Sequence, residues 1–137
     1  MMDYSFTFWG LWLIVTTVVV QALVASVAHR KQQHYVPGIV DSNLSHDSFV
    51  FRSHRTFMNS IENMCLFLFP ALFAIWLNVA PSVLGIIVWV YAVARIIHMV
   101  LYYVIATEKN PSPRSYFYII ALLANLVLLG YVAAALV

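Results

Sequence analysis

Two stretches of this chain, residues 4–28 and 115–137, contain no aspartate, glutamate, lysine or arginine. As helices rising about 1.5 Å per residue, each is long enough to cross roughly 30 Å of hydrocarbon. Two further apolar segments lie between them, and the first is opened by the polar run RSHRTFMNSIENM at residues 52–64. Of 137 residues, 64% are hydrophobic and 9% charged. A water-soluble globule of this size cannot hide that much apolar surface, whereas a bilayer removes the need to. The sequence therefore predicts an all-α integral membrane protein, a single membrane domain over 1–137 with spans at about 5–28, 52–78, 82–107 and 115–137.

The segment MMDYSFTFWG lacks the basic region and small-residue cleavage site of a secretory signal, so it reads as the start of a retained first span. Polar connections follow spans one and three: HRKQQHYVPGIVDSNLSHDSF, with a Pro-Gly break, and the proline-rich EKNPSPR. Ala80-Pro81-Ser82 makes a tight link between spans two and three. Such lengths predict an up-down four-helix bundle with antiparallel neighbours. Arg30, Lys31, Arg52, Arg55, Lys109 and Arg114 lie in or beside the two polar loops, while the other side carries Asp3 and no basic residue. The positive-inside tendency places those loops in the cytoplasm and both termini outside it. Compact loops favour a bacterial inner membrane over the endoplasmic reticulum.

A net charge of +2 without a basic run excludes nucleic acid as a partner. The single cysteine, Cys65, sits among apolar neighbours and offers neither a disulfide nor a thiol metal site within one chain. His29, His34 and His46 fall in a polar loop without metal-ligand spacing and read as solvated, so no metal site is expected. Gln21, Thr16, Thr17 and Asn125 read as interhelical hydrogen-bonding residues, and Trp9, Trp12, Trp76 and Trp89 as an interfacial aromatic belt.

The chemistry concentrates where span two begins. Arg55, Asn59 and Glu62 are spaced i, i+4, i+7 and share one helical face, which Arg52 extends by a turn. Glu62 lies roughly 15 Å into its helix, where an unpaired carboxylate is costly. Arg95 in span three falls at a similar depth and is the expected partner, with His98 and Tyr102 on the same stripe. An Arg-Glu pair can serve only to lock helices together. Here, however, Arg52, Arg55, Asn59, His98, Tyr102, Arg114, Ser115 and Tyr118 offer more donors and cations than one carboxylate satisfies, which points to an anionic ligand.

The pattern Arg52-x-x-Arg55-x-x-x-Asn59-x-x-Glu62, with Arg95-x-x-His98-x-x-x-Tyr102 and Arg114-Ser115-x-x-Tyr118, resembles the membrane-associated proteins of eicosanoid and glutathione metabolism. That family includes microsomal glutathione transferases, leukotriene C synthase and microsomal prostaglandin E synthase. The likeness covers the whole chain in length and span number, and the span-two motif is its most specific part. It implies a homotrimer with glutathione bound between subunits, held by Arg55, Asn59, Glu62, Arg95, His98 and Tyr102, with Arg52 and Tyr118 beside them and Arg30 as a further carboxylate contact. Arg114 matches the arginine that stabilises the glutathione thiolate, and Ser115 the serine given that role in the prostaglandin synthase branch.

Glutathione carries two carboxylates, an ammonium group and a thiol, so several arginines and one acid form a fitting inventory. The implied activity is a glutathione-dependent membrane transferase that conjugates or reduces lipophilic electrophiles arriving through the lipid. The stretch between Tyr102 and Arg114 is longer than the family's usual connection, which leaves Lys109 as a second candidate for the cation nearest the thiol. A non-catalytic lipid-presenting member is the alternative, and the presence of both Arg55 and Arg114 argues against it. A small four-span exporter also fits the length but needs an acid in its first span, which this chain lacks.

Overall fold

The computed structural model describes residues 3–137 and contains four helices: α1 (Ser5–Arg30), α2 (Phe49–Trp76), α3 (Pro81–Val104) and α4 (Pro113–Ala135). All four are long and apolar enough to cross a membrane, and no named strand occurs among the described residues. The all-α four-span architecture expected from the hydropathy pattern is the one adopted.

Local chemistry sets the helix ends. Pro81 and Pro113 occupy first-turn positions, where a missing N–H costs nothing and the fixed φ suits a helix. Before α4, the Ser112 N–H donates to Ser115 Oγ at 3.1 Å, one half of a capping box. α2 begins at Phe49, three residues ahead of the apolar-segment estimate, because Ser48 is extended and the Arg52 N–H already donates to its carbonyl at 3.0 Å. α3 stops at Val104, short of the expected 107, where Ile105 turns extended (φ −102°, ψ 109°). The carbonyls of Tyr103 and Thr107 accept instead from Arg52 and Arg114.

The α2–α3 turn is a Schellman motif with asparagine in the glycine position. Asn78 is left-handed (φ 57°), its N–H donates to Ile75 O at 3.1 Å, and the Val79 N–H donates to Ala74 O at 2.9 Å. Val79 and Ala74 are both buried, as the motif's hydrophobic contact requires. The Tyr4 hydroxyl donates to the Val79 carbonyl at 2.7 Å, so the start of α1 clasps this turn.

α1 packs on α2 and α3, α4 packs on α2 and α3, and among the described residues α1 and α4 do not touch. Small residues let the backbones approach, as is common where no hydrophobic force drives helices together in lipid. Ala71, Ala74, Ala92, Ala94, Ala121 and Ala124 are buried, and Phe67 stacks on Tyr91 at 3.7 Å between ring centroids. The α1–α3 crossing depends on Gly10, where an added Cβ would lie 2.6 Å from Val88 Cγ1. Gly10→Val should therefore lower the thermal unfolding midpoint in detergent, by a loss of about 1–3 kcal/mol from overpacking against a branched, immobile neighbour.

Candidate functional site

The antiparallel order brings the end of α1, the start of α2, the end of α3 and the start of α4 to one end of the bundle, which holds every arginine except Arg95, one to three turns deeper. Arg95 is 5% exposed and lies on the inner face of α3. Its Nη2 donates to Asn59 Oδ1 at 2.8 Å and to Ser60 Oγ at 3.1 Å, while Nη1 is buried with no partner. The expected Glu62–Arg95 pair is not formed. Glu62 follows Asn59 by three residues and is rotated about 60° away from it around the helix. Its side chain is 52% exposed and lies 3.9 Å from Arg55 Nη1, itself 41% exposed. Neutral amide and hydroxyl oxygens, not a carboxylate, hold the deep arginine.

Arg52 faces the loops. Its Nη1 donates to the carbonyls of His46 at 2.6 Å and Asp47 at 3.0 Å, its Nη2 donates to Tyr103 O at 3.3 Å, and the group lies over the Phe49 ring. One guanidinium thus ties the α1–α2 loop to the end of α3, which withdraws most of its donors from any ligand.

Around Tyr102 the remaining site residues converge. The Arg114 guanidinium lies over the Tyr102 ring, 4.1 Å from its centroid, in cation–π geometry. Its Nη2 donates to Thr107 O at 3.0 Å, and its Nη1 is buried without an acceptor. The imidazole of His98, buried on α3, stands 5.6 Å from the Tyr102 ring and 6.3 Å from that of Tyr118. Ser115 is engaged in the cap that starts α4, and so fixes the backbone from which Arg114 projects. Lys109 is exposed in the α3–α4 loop, so Arg114 is the cation packed on the aromatic cluster.

His46 joins this cluster, contrary to its reading as a solvated loop residue. Its backbone N–H and Nδ1 contact Glu108 at 3.0 and 2.7 Å, and its Nε2 meets the Tyr102 hydroxyl at 3.0 Å. No local pattern marks this contact, because its members stand 56 and 62 residues apart in the chain.

Arg30 lies elsewhere. It lines, with His29, Tyr35, His54 and Phe57, an open cavity of about 490 Å³ between α1, the α1–α2 loop and α2. Within one chain the structure therefore gathers Asn59 and Arg95 in a deep layer and His98, Tyr102, Arg114 and Tyr118 in an outer one. Arg30 sits apart from both, with Arg55 and Glu62 on an exposed face of α2. Among the described residues no group of three or more His, Cys, Asp or Glu side chains could hold a metal ion.

A model of the MAPEG family matches residues 6–134. The chain belongs to the MAPEG family. No curated protein and no solved structure gives a match. The family comprises the membrane proteins of glutathione and eicosanoid metabolism expected from the arginine motifs, and its match spans all four helices of this MAPEG chain.

Other polar residues depart from expectation. Thr17 donates to Leu13 O of its own helix at 2.7 Å, and the buried Gln21 Oε1 and Asn125 Oδ1 meet no donor, so none of these atoms links one helix of the MAPEG chain to another. Trp9, Trp12 and Trp76 are exposed near one end, whereas Trp89 is partly covered and joins α3 to α1. Its Nε1 donates to Phe6 O at 2.9 Å and its ring stacks on Phe6.

Proposed function

We propose that this MAPEG chain is a glutathione-dependent membrane transferase that conjugates or reduces lipophilic electrophiles. Membership in the family supports a membrane role of the glutathione and eicosanoid kind. The observation that carries the finer reading is the state of Arg114: a cation half-covered by protein, stacked on Tyr102, with one amino group buried and matched to no acceptor in its own chain. A thiol with a reference pKa of about 8.5 is mostly protonated at neutral pH, and each unit of depression requires about 1.4 kcal/mol of preference for the thiolate. A desolvated guanidinium supplies such a preference, and Ser115 supports it through the α4 cap.

In the conjugation, the thiolate sulfur bonds to an electrophilic carbon and a leaving group such as chloride departs with the electron pair. Asn59, Arg95, His98, Tyr102 and Tyr118 are assigned to hold the tripeptide, with Arg55 for a carboxylate and Glu62 for the ammonium group. Arg52 contributes by shaping the loop above them.

A homotrimer with glutathione between subunits accounts for what a single chain leaves uncovered. Arg55 and Glu62 face outward from a membrane-spanning helix, where contact with lipid is costly. Arg30, on a different side of the bundle from Arg114, can serve a site only if a neighbouring subunit meets it.

Calorimetric titration of glutathione into the protein in nanodiscs, with native mass spectrometry of the complex, tests this reading. Saturable binding below about 1 mM, equivalent to roughly −4 kcal/mol or better, to a three-chain assembly is expected. Absence of binding at millimolar concentration favours the lipid-presenting alternative, and a monomer removes the shared site.

A further inference from the structure

The His46 ring is 17% exposed, set between Phe51 at 4.9 Å and Tyr102 at 5.7 Å between ring centroids. The Glu108 carboxylate receives the His46 backbone N–H at 3.0 Å and lies 2.7 Å from Nδ1. These two contacts hold its carboxyl below the usual carboxylate range. Near neutral pH Glu108 is therefore ionised and can only accept, so Nδ1 carries a hydrogen. In the neutral imidazole the other nitrogen is then an acceptor. The Tyr102 hydroxyl, 3.0 Å from Nε2, must donate to it. The phenolic oxygen is left with lone pairs alone to offer a ligand. Protonation reverses this: Nε2–H donates to the phenolic oxygen, the phenolic hydrogen is released toward the ligand, and a positive charge stands one hydrogen bond behind it.

We propose that His46, oriented by Glu108, is a positioning residue that sets whether Tyr102 presents a donor or an acceptor to its ligand, so that an anionic group is held more tightly when the imidazole is protonated. The inference deepens the glutathione reading and rests on it for the identity of the ligand. The charged and titratable groups around His46 come from every element packed there. They are Glu108 from the α3–α4 loop, Tyr102 from α3, Arg52 from α2 on the His46 carbonyl, Asp47 beside it, and Arg114 from α4 across the Tyr102 ring.

The test is the glutathione Kd at pH 5.5 and pH 7.5, measured for native protein, His46→Gln and His46→Phe in nanodiscs. That interval, of about two pH units, brackets the ordinary imidazole range while glutathione's carboxylates keep their charge. S-methylglutathione, which has no thiol to ionise, is titrated in parallel so that the pH dependence read is that of the protein. Native protein is expected to bind about three- to tenfold more tightly at the lower pH, the gain of one charge-assisted hydrogen bond. Both variants should lose that dependence, and His46→Phe, which frees the Tyr102 hydrogen for the ligand, should bind at least as tightly as native protein at the higher pH; His46→Gln keeps a polar side chain between Glu108 and Tyr102 should the phenylalanine variant fold poorly. An equal pH dependence in native protein and His46→Gln overturns the proposal, as does a flat native profile. If native protein binds no glutathione at either pH, the functional reading fails. The hydrogen-bond assignment is then decided without ligand by the nitrogen chemical shifts of His46. Hydrogen on Nδ1 in the neutral form, with an Nε2 signal that moves in Tyr102→Phe, supports it, and the opposite tautomer sinks it.

Discussion

Arg114→Ala is expected to lower kcat for conjugation of glutathione with a chlorinated nitroaromatic by about 10²–10³-fold, while raising the glutathione Kd by no more than about tenfold. The asymmetry follows from where the charge lies. On the proposed reading, ground-state binding is shared among Asn59, Arg95, His98, Tyr102 and Tyr118, whereas the buried amino group of Arg114 has no acceptor in its own chain and leaves that cation's charge to act on the sulfur. Thiolate absorbance of the bound complex reports the same property directly and should fall in the variant at constant pH. Arg114→Lys keeps a cation but loses the planar contact with Tyr102, seen at 4.1 Å, and should recover only part of the rate. A variant that turns over at the native rate, with unchanged thiolate absorbance, would remove Arg114 from the chemistry.

The second large effect concerns stability. Asn59→Leu takes the 2.8 Å acceptor from a guanidinium that is 5% exposed, leaving it with Ser60 alone. A hydrogen bond to a charged group contributes about 1.5–3 kcal/mol, and a buried charge left short of partners costs more than the bond itself. The unfolding midpoint in detergent should drop clearly. Adding Arg95→Met should restore much of the loss, because the double variant buries no orphaned charge. If Asn59→Leu unfolds with the native protein, or the double variant is no better than the single, the hydrogen bond from Arg95 to Asn59 does not stabilise the buried guanidinium.

Helical periodicity shows which residues of one helix share a face, and it groups Arg95 with His98 and Tyr102, and Arg114 with Tyr118 at the opening of α4, from the order of residues alone. It does not show which neighbour each face meets. Glu62 and Asn59 differ by about 60° around α2, and that rotation decides which of them Arg95 meets. Spans one and four are legible in the sequence because charge-free lengths near 25 residues have few other solutions in water, and spans two and three because long apolar runs surround their few charges. The end of α3 is not, since it depends on Arg52 and Arg114 capturing carbonyls that hydropathy cannot register. His46 escapes for a related reason: its partners come from a loop and a helix more than fifty residues away.

The clasp between Tyr4 and Val79 joins positions 75 residues apart. A chain inserted from its N-terminus as it is synthesised delivers α1 to the bilayer long before the turn that Tyr4 will grip exists. The first helix must therefore wait in lipid, its tyrosine hydroxyl without this acceptor, until the second hairpin arrives. The grip closes only once the α2–α3 turn has formed.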